Sequence, residues 1–141
     1  MDAATSAVLA ANHSFYTALS LADFDLMARV WLDSADAVCE HPGWPPLQGW
    51  PAIGDSWREI FKGQGPLRVW ATEAQVRLYG RTAEVNCVEN IDMGQVRGTG
   101  ILRTRAVNIF RQEAGAWKLQ AHHAVSISSG ALQRPERFSS N

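Results

Sequence analysis

Residues 36–53, DAVCEHPGWPPLQGWPAI, mark the point at which one sequence pattern gives way to another. The first residues, up to Glu40, have strand character, and the last open an amphipathic helix at Pro51, a residue that suits the first helical turn. The prolines between them remove amide donors and restrict the residues that precede them. We therefore expect an ordered loop, neither helix nor central strand, that links a short strand to a helix.

Helical periodicity precedes this stretch and follows it. Residues 5–21 carry apolar residues at spacings of three and four, and Asp23 is expected to cap a second, shorter helix within residues 21–32. A third helix is expected over residues 51–63. The buried stripes of the three helices are predicted as Val8, Ala11, Phe15, Ala18 and Leu19; Phe24, Met27, Val30 and Trp31; and Ile53, Trp57, Ile60 and Phe61.

Strand character dominates after residues 65–66. Four stretches, residues 67–79, 81–92, 100–112 and 116–128, are separated by short turns, and the turn over residues 93–98 is the loosest. These spacings predict a consecutive antiparallel meander, and the long strands predict a curved sheet with bulges. The expected fold class is α+β, with three N-terminal helices packed in the hollow of a strongly curved, mainly antiparallel sheet.

Length and charge exclude several function classes. The 141 residues predict one domain, expected over residues 1–127, with residues 128–141 as a tail that is either loose or packed on a partner subunit. A formal net charge of −1 and the lack of basic runs argue against nucleic acid and membrane partners. The N-terminus has no signal-peptide pattern, and Cys39 and Cys87 form no C-x-x-C pair, so we expect a cytoplasmic protein with buried free thiols.

Residues 36–53 also resemble a known family. The form D-A-x-x-x-H/D-P followed by G-x-x-A-I is similar to the cone-shaped nuclear transport factor 2-like superfamily, specifically its SnoaL-like bacterial branch. The segment WKLQAHHAVSI, residues 117–127, resembles the W-x-[IL]-x-x-H-H pattern of that branch. The resemblance covers the chain up to about residue 127. It implies the cone fold and a site at the apolar mouth between helices and sheet, in a superfamily of isomerases, cyclases, hydrolases, dehydratases and members without established catalysis.

The ketosteroid isomerases of this superfamily provide a residue-by-residue comparison. Their catalytic aspartate corresponds to His41, and their oxyanion tyrosine falls by spacing on Phe15 rather than Tyr16. Their second oxyanion acid corresponds to a position near Ala106, where we expect no carboxylate within reach. The pair of groups that polarises a carbonyl is therefore not expected, and steroid isomerisation is not predicted.

His41 is the first candidate catalytic residue. It precedes Pro42 at the strand-to-loop exit, where this fold presents groups to its cavity, and a neutral imidazole there suits a general base near neutral pH. The alternative is a structural clasp in which the ring nitrogens hold the neighbouring loop or helices. A clasp would leave neither nitrogen free.

His122 and His123 are candidates on the last strand. Simple alternation places His123, with Trp117 and Leu119, toward the cavity and His122 toward solvent or a partner; a bulge would exchange these assignments. His123 is thus the second catalytic candidate and His122 a ligand-binding one. A metal site shared by His41 and His123 lacks a nearby carboxylate, so we predict no metal and no cofactor.

The remaining candidates are ligand-binding residues. Phe15, Tyr16, Trp57 and Asn108 are expected to line a cavity with His41, and Trp44 is a further ligand-binding candidate. Aromatic rings at a cavity mouth favour a small apolar or aromatic molecule, although the same rings also serve as filler beneath a loop.

Two functions stay open. The chain is either an isomerase-, cyclase- or hydrolase-type enzyme using His41, or a non-catalytic ligand-binding or dimerisation module. A homodimer through the outer sheet face, which holds Ile101, Val107 and Ile109, is expected in either case.

Overall fold

The computed structural model of the chain describes residues 2–92 and 100–127. Its elements are α1 (Ala3–Leu21), α2 (Phe24–Val30), β1 (Val38–Glu40), β2 (Leu47–Gln48), α3 (Trp50–Gln64), β3 (Arg68–Tyr79), β4 (Thr82–Asp92), β5 (Ile101–Glu113) and β6 (Ala116–Ser126). The α+β prediction of three helices packed on a curled, mostly antiparallel sheet is confirmed. The predicted loose turn over residues 93–98 and the predicted tail over residues 128–141 lie outside the described residues.

The helices begin and end at residues whose chemistry suits those positions. Asp2 caps α1 by accepting a hydrogen bond from the Thr5 amide at 2.7 Å, and Asp23 caps α2 as predicted, accepting from the Leu26 amide at 3.0 Å. Helix α1 ends at Leu21, and the next residue, Ala22, has a φ of 53°, in the left-handed region. No helix within residues 2–92 and 100–127 has the length and apolar character needed to cross a membrane.

The sheet has the order β2-β1-β6-β5-β4-β3. Strands β3 to β6 form the predicted antiparallel meander, while β1 pairs in parallel with β6. The proline-rich loop contains one element that the sequence did not predict: β2, which pairs with Val38 and Cys39 at the sheet edge. An edge position tolerates neighbouring prolines because one side of the strand needs no partner.

Two irregularities bend the long strands. In β3 the register shifts between Thr72 and Gln75, where Glu73 has a φ of 57°. In β6, Leu119 lies opposite Phe110 and Ala121 opposite Ile109, so Gln120 is an extra residue in the strand. The bulge reverses the inward and outward faces of β6 for every residue that follows it.

The hollow of the sheet is filled from α1, α3 and the inner strand faces. Phe15, Trp57, Phe110, Met27 and Ile53 are among the largest fully buried side chains. Phe15 packs edge-on against Trp57, with ring centroids 5.7 Å apart. The apolar part of the core therefore surrounds the polar groups described next.

Candidate functional site

The interior of the cone buries an unusual set of polar side chains. Each is at most 4% exposed, and they come from α1, α3, the end of β1 and the inner faces of β4, β5 and β6: Asn12, His41, Ser56, Glu89, Thr104, Asn108 and His122. Tyr16, 3% exposed, joins them from α1. Buried polar groups are costly unless they are hydrogen-bonded, so their partners define the site.

Sheet register brings the strand residues together. Glu89 lies opposite Thr104 in the β4–β5 pair, and Asn108 lies opposite His122 in the β5–β6 pair. These residues share the inner face because side chains alternate along each strand, with the β6 bulge correcting the alternation for His122. Tyr16 reaches them from α1, which crosses the hollow.

Four of these side chains, Tyr16, Glu89, Asn108 and His122, form a closed circuit that we call the central network. The Tyr16 hydroxyl donates to Glu89 Oε2 at 2.7 Å, and Asn108 Nδ2 lies 3.0 Å from the Tyr16 oxygen. Asn108 Oδ1 lies 2.6 Å from His122 Nδ1, and His122 Nε2 lies 3.8 Å from Glu89 Oε2. The circuit thus joins a carboxylate, a phenol, an amide and an imidazole within hydrogen-bonding or near-hydrogen-bonding distance.

Neighbouring groups complete the hydrogen bonding. The Thr104 hydroxyl donates to Glu89 Oε1, and Asn108 Nδ2 donates to Asn12 Oδ1 at 2.8 Å. The Cys87 thiol lies 3.4 Å from the Tyr16 oxygen. Both oxygens of Glu89 therefore accept hydrogen bonds, the pattern expected of a carboxylate.

Burial controls the electrostatics of the network. It raises the pKa of Tyr16 well above the ordinary value, and the nearby Glu89 carboxylate raises it further. Burial lowers the pKa of His122, while Glu89 opposes that shift. Near neutral pH Tyr16 therefore keeps its proton and His122 is neutral. The network thus contains a hydroxyl that can donate a proton and an imidazole that can accept one.

His41 lies outside this network and has the geometry of the clasp. The Ser56 hydroxyl donates to the Ile53 carbonyl at 2.6 Å, so its oxygen accepts from His41 Nε2, 2.9 Å away. The Cys39 sulfur lies 3.6 Å from Nε2 and 3.9 Å from Nδ1. The His41 side chain is 0% exposed, and burial lowers its pKa well below the ordinary value. The free, cavity-facing nitrogen that a catalytic base requires is not present, so that prediction for His41 is wrong.

The predicted orientations of the paired histidines are also reversed. His122 is buried in the hollow, whereas the His123 side chain is 42% exposed on the outer face and lies 3.3 Å from Glu40. The cause is the Gln120 bulge, which shifts the alternation by one residue. His123 therefore does not reach the interior, and it cannot share a metal ion with His41 on the other side of the sheet.

The aromatic candidates enclose the histidines. The ring of His41 lies between those of Trp44 and Trp57, with centroid distances of 4.5 and 4.6 Å, and Phe15 lies 4.9 Å from His122. Trp44, Trp57 and Phe15 are each at most 5% exposed. These rings pack around polar groups, and the predicted position of Phe15 and Trp57 on a cavity wall is wrong.

A cavity of about 470 Å³ does lie beside the network, between α1 and β3. The predicted cavity lining is Phe15, Tyr16, His41, Trp57 and Asn108. Tyr16 is the member of that set that lines this cavity, whereas the other four are buried in the packed interior. The full lining is Leu9, Asn12, His13, Tyr16, Thr17, Ser20, Leu21, Val69, Trp70, Ala71 and Ala74. Tyr16 and Asn12 thus belong both to the cavity wall and to the hydrogen-bonded interior.

Sequence reasoning missed Glu89, Asn12 and Ser56. The expectation that no carboxylate lies near Ala106 is wrong, because Ala106 pairs with Cys87 and Glu89 follows two residues later on the same inner face. Alternation with Val85 and Cys87 was the signal that places Glu89 inward. Val88 and Asn90 on the outer face of β4 are equally buried, and their presence obscures that signal.

Comparison with known proteins agrees with this architecture. Residues 8–128 match the model of the SnoaL-like domain. A solved nuclear transport factor 2-like family protein from Streptomyces avermitilis, with a proposed dehydratase role, is 32% identical; the match has a TM-score of 0.78 and covers 88% of this chain and 96% of that one. A ketosteroid isomerase-like protein from Erwinia carotovora atroseptica is 20% identical, with a TM-score of 0.73 over 91% of this chain and 99% of that one, and supports the fold alone.

A curated relative has a different description. The F-box protein SKIP8 of Arabidopsis thaliana is 25% identical over 122 residues, which are 86% of this chain and 50% of that protein. The chain spans about half the length of this relative. The match to the domain model, by contrast, extends across nearly all the described residues. The chain belongs to the SnoaL-like family of the nuclear transport factor 2-like superfamily.

Proposed function

We propose that the chain binds a small, uncharged, apolar or aromatic molecule in the cavity between α1 and β3 and exchanges a proton with it through Tyr16. The cavity volume of about 470 Å³ is in the range of small-molecule sites. Its described lining consists of apolar, aromatic and hydroxyl side chains with Asn12 and His13, and it includes no Asp, Glu, Lys or Arg. A ligand with a mostly apolar body and one polar group fits that lining.

A single observation carries the proposal: Tyr16 lines the cavity and also donates a hydrogen bond to the buried Glu89. A cavity with only apolar walls would support binding and nothing more. Here Tyr16, a residue of the wall, donates its hydroxyl hydrogen to a carboxylate, and the carboxylate faces an imidazole. The connection gives a proton from the ligand a route into the protein.

The proposed step conserves protons and charge. A C–H or O–H bond of the ligand breaks, its proton joins the Tyr16 oxygen, and the proton already on Tyr16 moves to Glu89 Oε2. That proton then passes to His122 Nε2, which leaves the ligand as an anion, Glu89 as a carboxylate and His122 as an imidazolium. The reverse sequence returns the proton to another ligand atom, as isomerisation or elimination requires. The dehydratase role proposed for the relative at 32% identity is of this reaction type.

The cavity is tested by filling it. Ala74 is exposed and lies on the cavity wall, so Ala74→Trp should occupy the cavity without disturbing the core. The probe is N-phenyl-1-naphthylamine, an uncharged aromatic molecule that fluoresces in apolar surroundings. We expect saturable binding to the unmodified protein and at least a tenfold weaker affinity for Ala74→Trp.

Ala116→Trp is the matched control, because Ala116 is an exposed alanine on β6 that does not line this cavity. Its affinity for the probe should equal that of the unmodified protein. Equal binding by all three proteins would contradict the cavity assignment, because it would place the probe elsewhere on the surface.

The second candidate is a ligand-binding or dimerisation module without catalysis. It is favoured by one observation: the buried polar groups satisfy one another's hydrogen bonds. Thr104 and Tyr16 donate to Glu89, and Asn108 donates to Asn12. Such a network stabilises a core without a ligand. In that case filling the cavity would leave the protonation and environment of His122 unchanged.

For either function we propose a reducing compartment such as the cytoplasm, which suits the free buried thiols of Cys39 and Cys87.

A further inference from the structure

The hydrogen bonds around Asn108 determine which ring nitrogen of His122 carries the proton. Glu89 accepts from Tyr16 at Oε2 and from Thr104 at Oε1. A phenol has a single hydrogen, and the hydrogen of Tyr16 is committed to Glu89. The Tyr16 oxygen is therefore available to its other neighbour, Asn108, only as an acceptor.

This requirement fixes the amide of Asn108. Its two N–H hydrogens go to the Tyr16 oxygen at 3.0 Å and to Asn12 Oδ1 at 2.8 Å. The opposite amide orientation would set the Asn108 oxygen against the Tyr16 oxygen, which has no hydrogen left to give. Asn108 Oδ1 must then face His122 Nδ1, 2.6 Å away, and a carbonyl oxygen accepts a hydrogen bond only from a nitrogen that carries a hydrogen.

We propose that Asn108 is a positioning residue that holds neutral His122 as its Nδ1–H tautomer and thereby leaves Nε2, the nitrogen facing Glu89, unprotonated. The inference about catalysis rests on the proposed function, whereas the tautomer itself does not. An unprotonated Nε2 is what the relay needs, because only that nitrogen lies toward Glu89 Oε2, at 3.8 Å. With the other tautomer Nε2 already carries a hydrogen, and Glu89 has nowhere to pass a proton.

The Nδ1–H tautomer is not the one that the nearby carboxylate alone would favour. A carboxylate beside a neutral imidazole ordinarily attracts an N–H, which would favour the Nε2–H tautomer pointing at Glu89. Asn108 prevents this because its shorter contact at Nδ1 competes with the longer one at Nε2. Removing the Asn108 carbonyl should therefore release the hydrogen to Nε2.

The test is the imidazole ¹⁵N spectrum of His122 at pH 8, where protonated and unprotonated ring nitrogens have widely separated shifts. In the unmodified protein we expect Nδ1 protonated and Nε2 unprotonated; the opposite pattern would overturn the proposal. In Asn108→Leu, of similar size and without an acceptor, we expect the pattern to switch to Nε2–H. Retention of Nδ1–H in that variant would show that Asn108 is not the cause.

A control variant separates the role of Asn108 from a general disturbance of the interior. Thr104→Val removes another Glu89 partner from the same face of β5 and should leave the His122 tautomer unchanged. If Asn108→Leu does not fold, the smaller Asn108→Ala replaces it; it also lacks the acceptor at Nδ1, so the same switch to Nε2–H is expected.

These spectra need no ligand. A confirmed tautomer with no probe binding would contradict the proposed function and leave this inference standing. Probe binding with an Nε2–H tautomer would contradict the inference and leave the cavity assignment standing.

Discussion

Burial decides the role of His41, a residue whose position in the sequence is typical of a catalytic base. Its imidazole donates to Ser56 and is enclosed by the rings of Trp44 and Trp57. Replacing it removes a buried hydrogen bond and leaves space among packed rings. We expect His41→Ala to lower the free energy of unfolding by about 2 to 4 kcal/mol, measured by denaturant titration.

His13→Ala is the matched control for that measurement, because His13 is exposed on the same molecule. Its effect should stay within about 0.5 kcal/mol. A His41→Ala protein as stable as the His13→Ala protein would contradict the clasp.

Buried neutral histidines also predict how stability depends on pH. Burial lowers the pKa of both His41 and His122 in the folded chain, so below the ordinary value of 6.5 the unfolded chain binds more protons than the folded one. The stabilisation is complete above that value and is lost as the pH falls toward the folded pKa values. Each histidine contributes a slope of up to about 1.4 kcal/mol per pH unit. Denaturant titrations between pH 8 and 5 should show this fall, and stability that rose on acidification would contradict it.

The bulge in β6 is the element that sets the site. Without Gln120 the strand would carry His123 inward and His122 outward, as simple alternation predicts. Deleting Gln120 should therefore break the central network and lower the melting temperature by several degrees. Gln120→Ala keeps the extra residue and should melt close to the unmodified protein; equal melting of the deletion variant would show that the bulge does not position His122.

The same element shows what a sequence can and cannot predict. Helical and strand periods predicted α1, α2, α3 and the meander, because those patterns extend over many residues. A single inserted residue such as Gln120 leaves no mark in the composition of a strand, yet it changes the face of every residue after it. The parallel pairing of β1 with β6 joins residues far apart in the chain, so local patterns did not predict it.

At the scale of the whole molecule, the outer sheet face remains a proposed homodimer interface. Val125, Ile127 and Ile101 are 64%, 52% and 46% exposed, a group of apolar side chains that water does not favour. We expect light scattering at micromolar concentration to give twice the chain mass, and Val125→Lys to shift the population toward monomer. Leu21→Lys changes an apolar residue, 59% exposed, on α1 and should leave the mass unchanged. A monomer mass for the unmodified protein would contradict the proposal.

The central claim is that the cavity and the buried network are connected through Tyr16 and Asn12. It is tested most directly by following the His122 imidazole by NMR while N-phenyl-1-naphthylamine fills the cavity. We predict that His122 shifts along the same binding curve as the probe fluorescence, that His123 on the outer face does not shift, and that Ala74→Trp abolishes both changes. Saturation of the cavity with no change at His122 would contradict the claim.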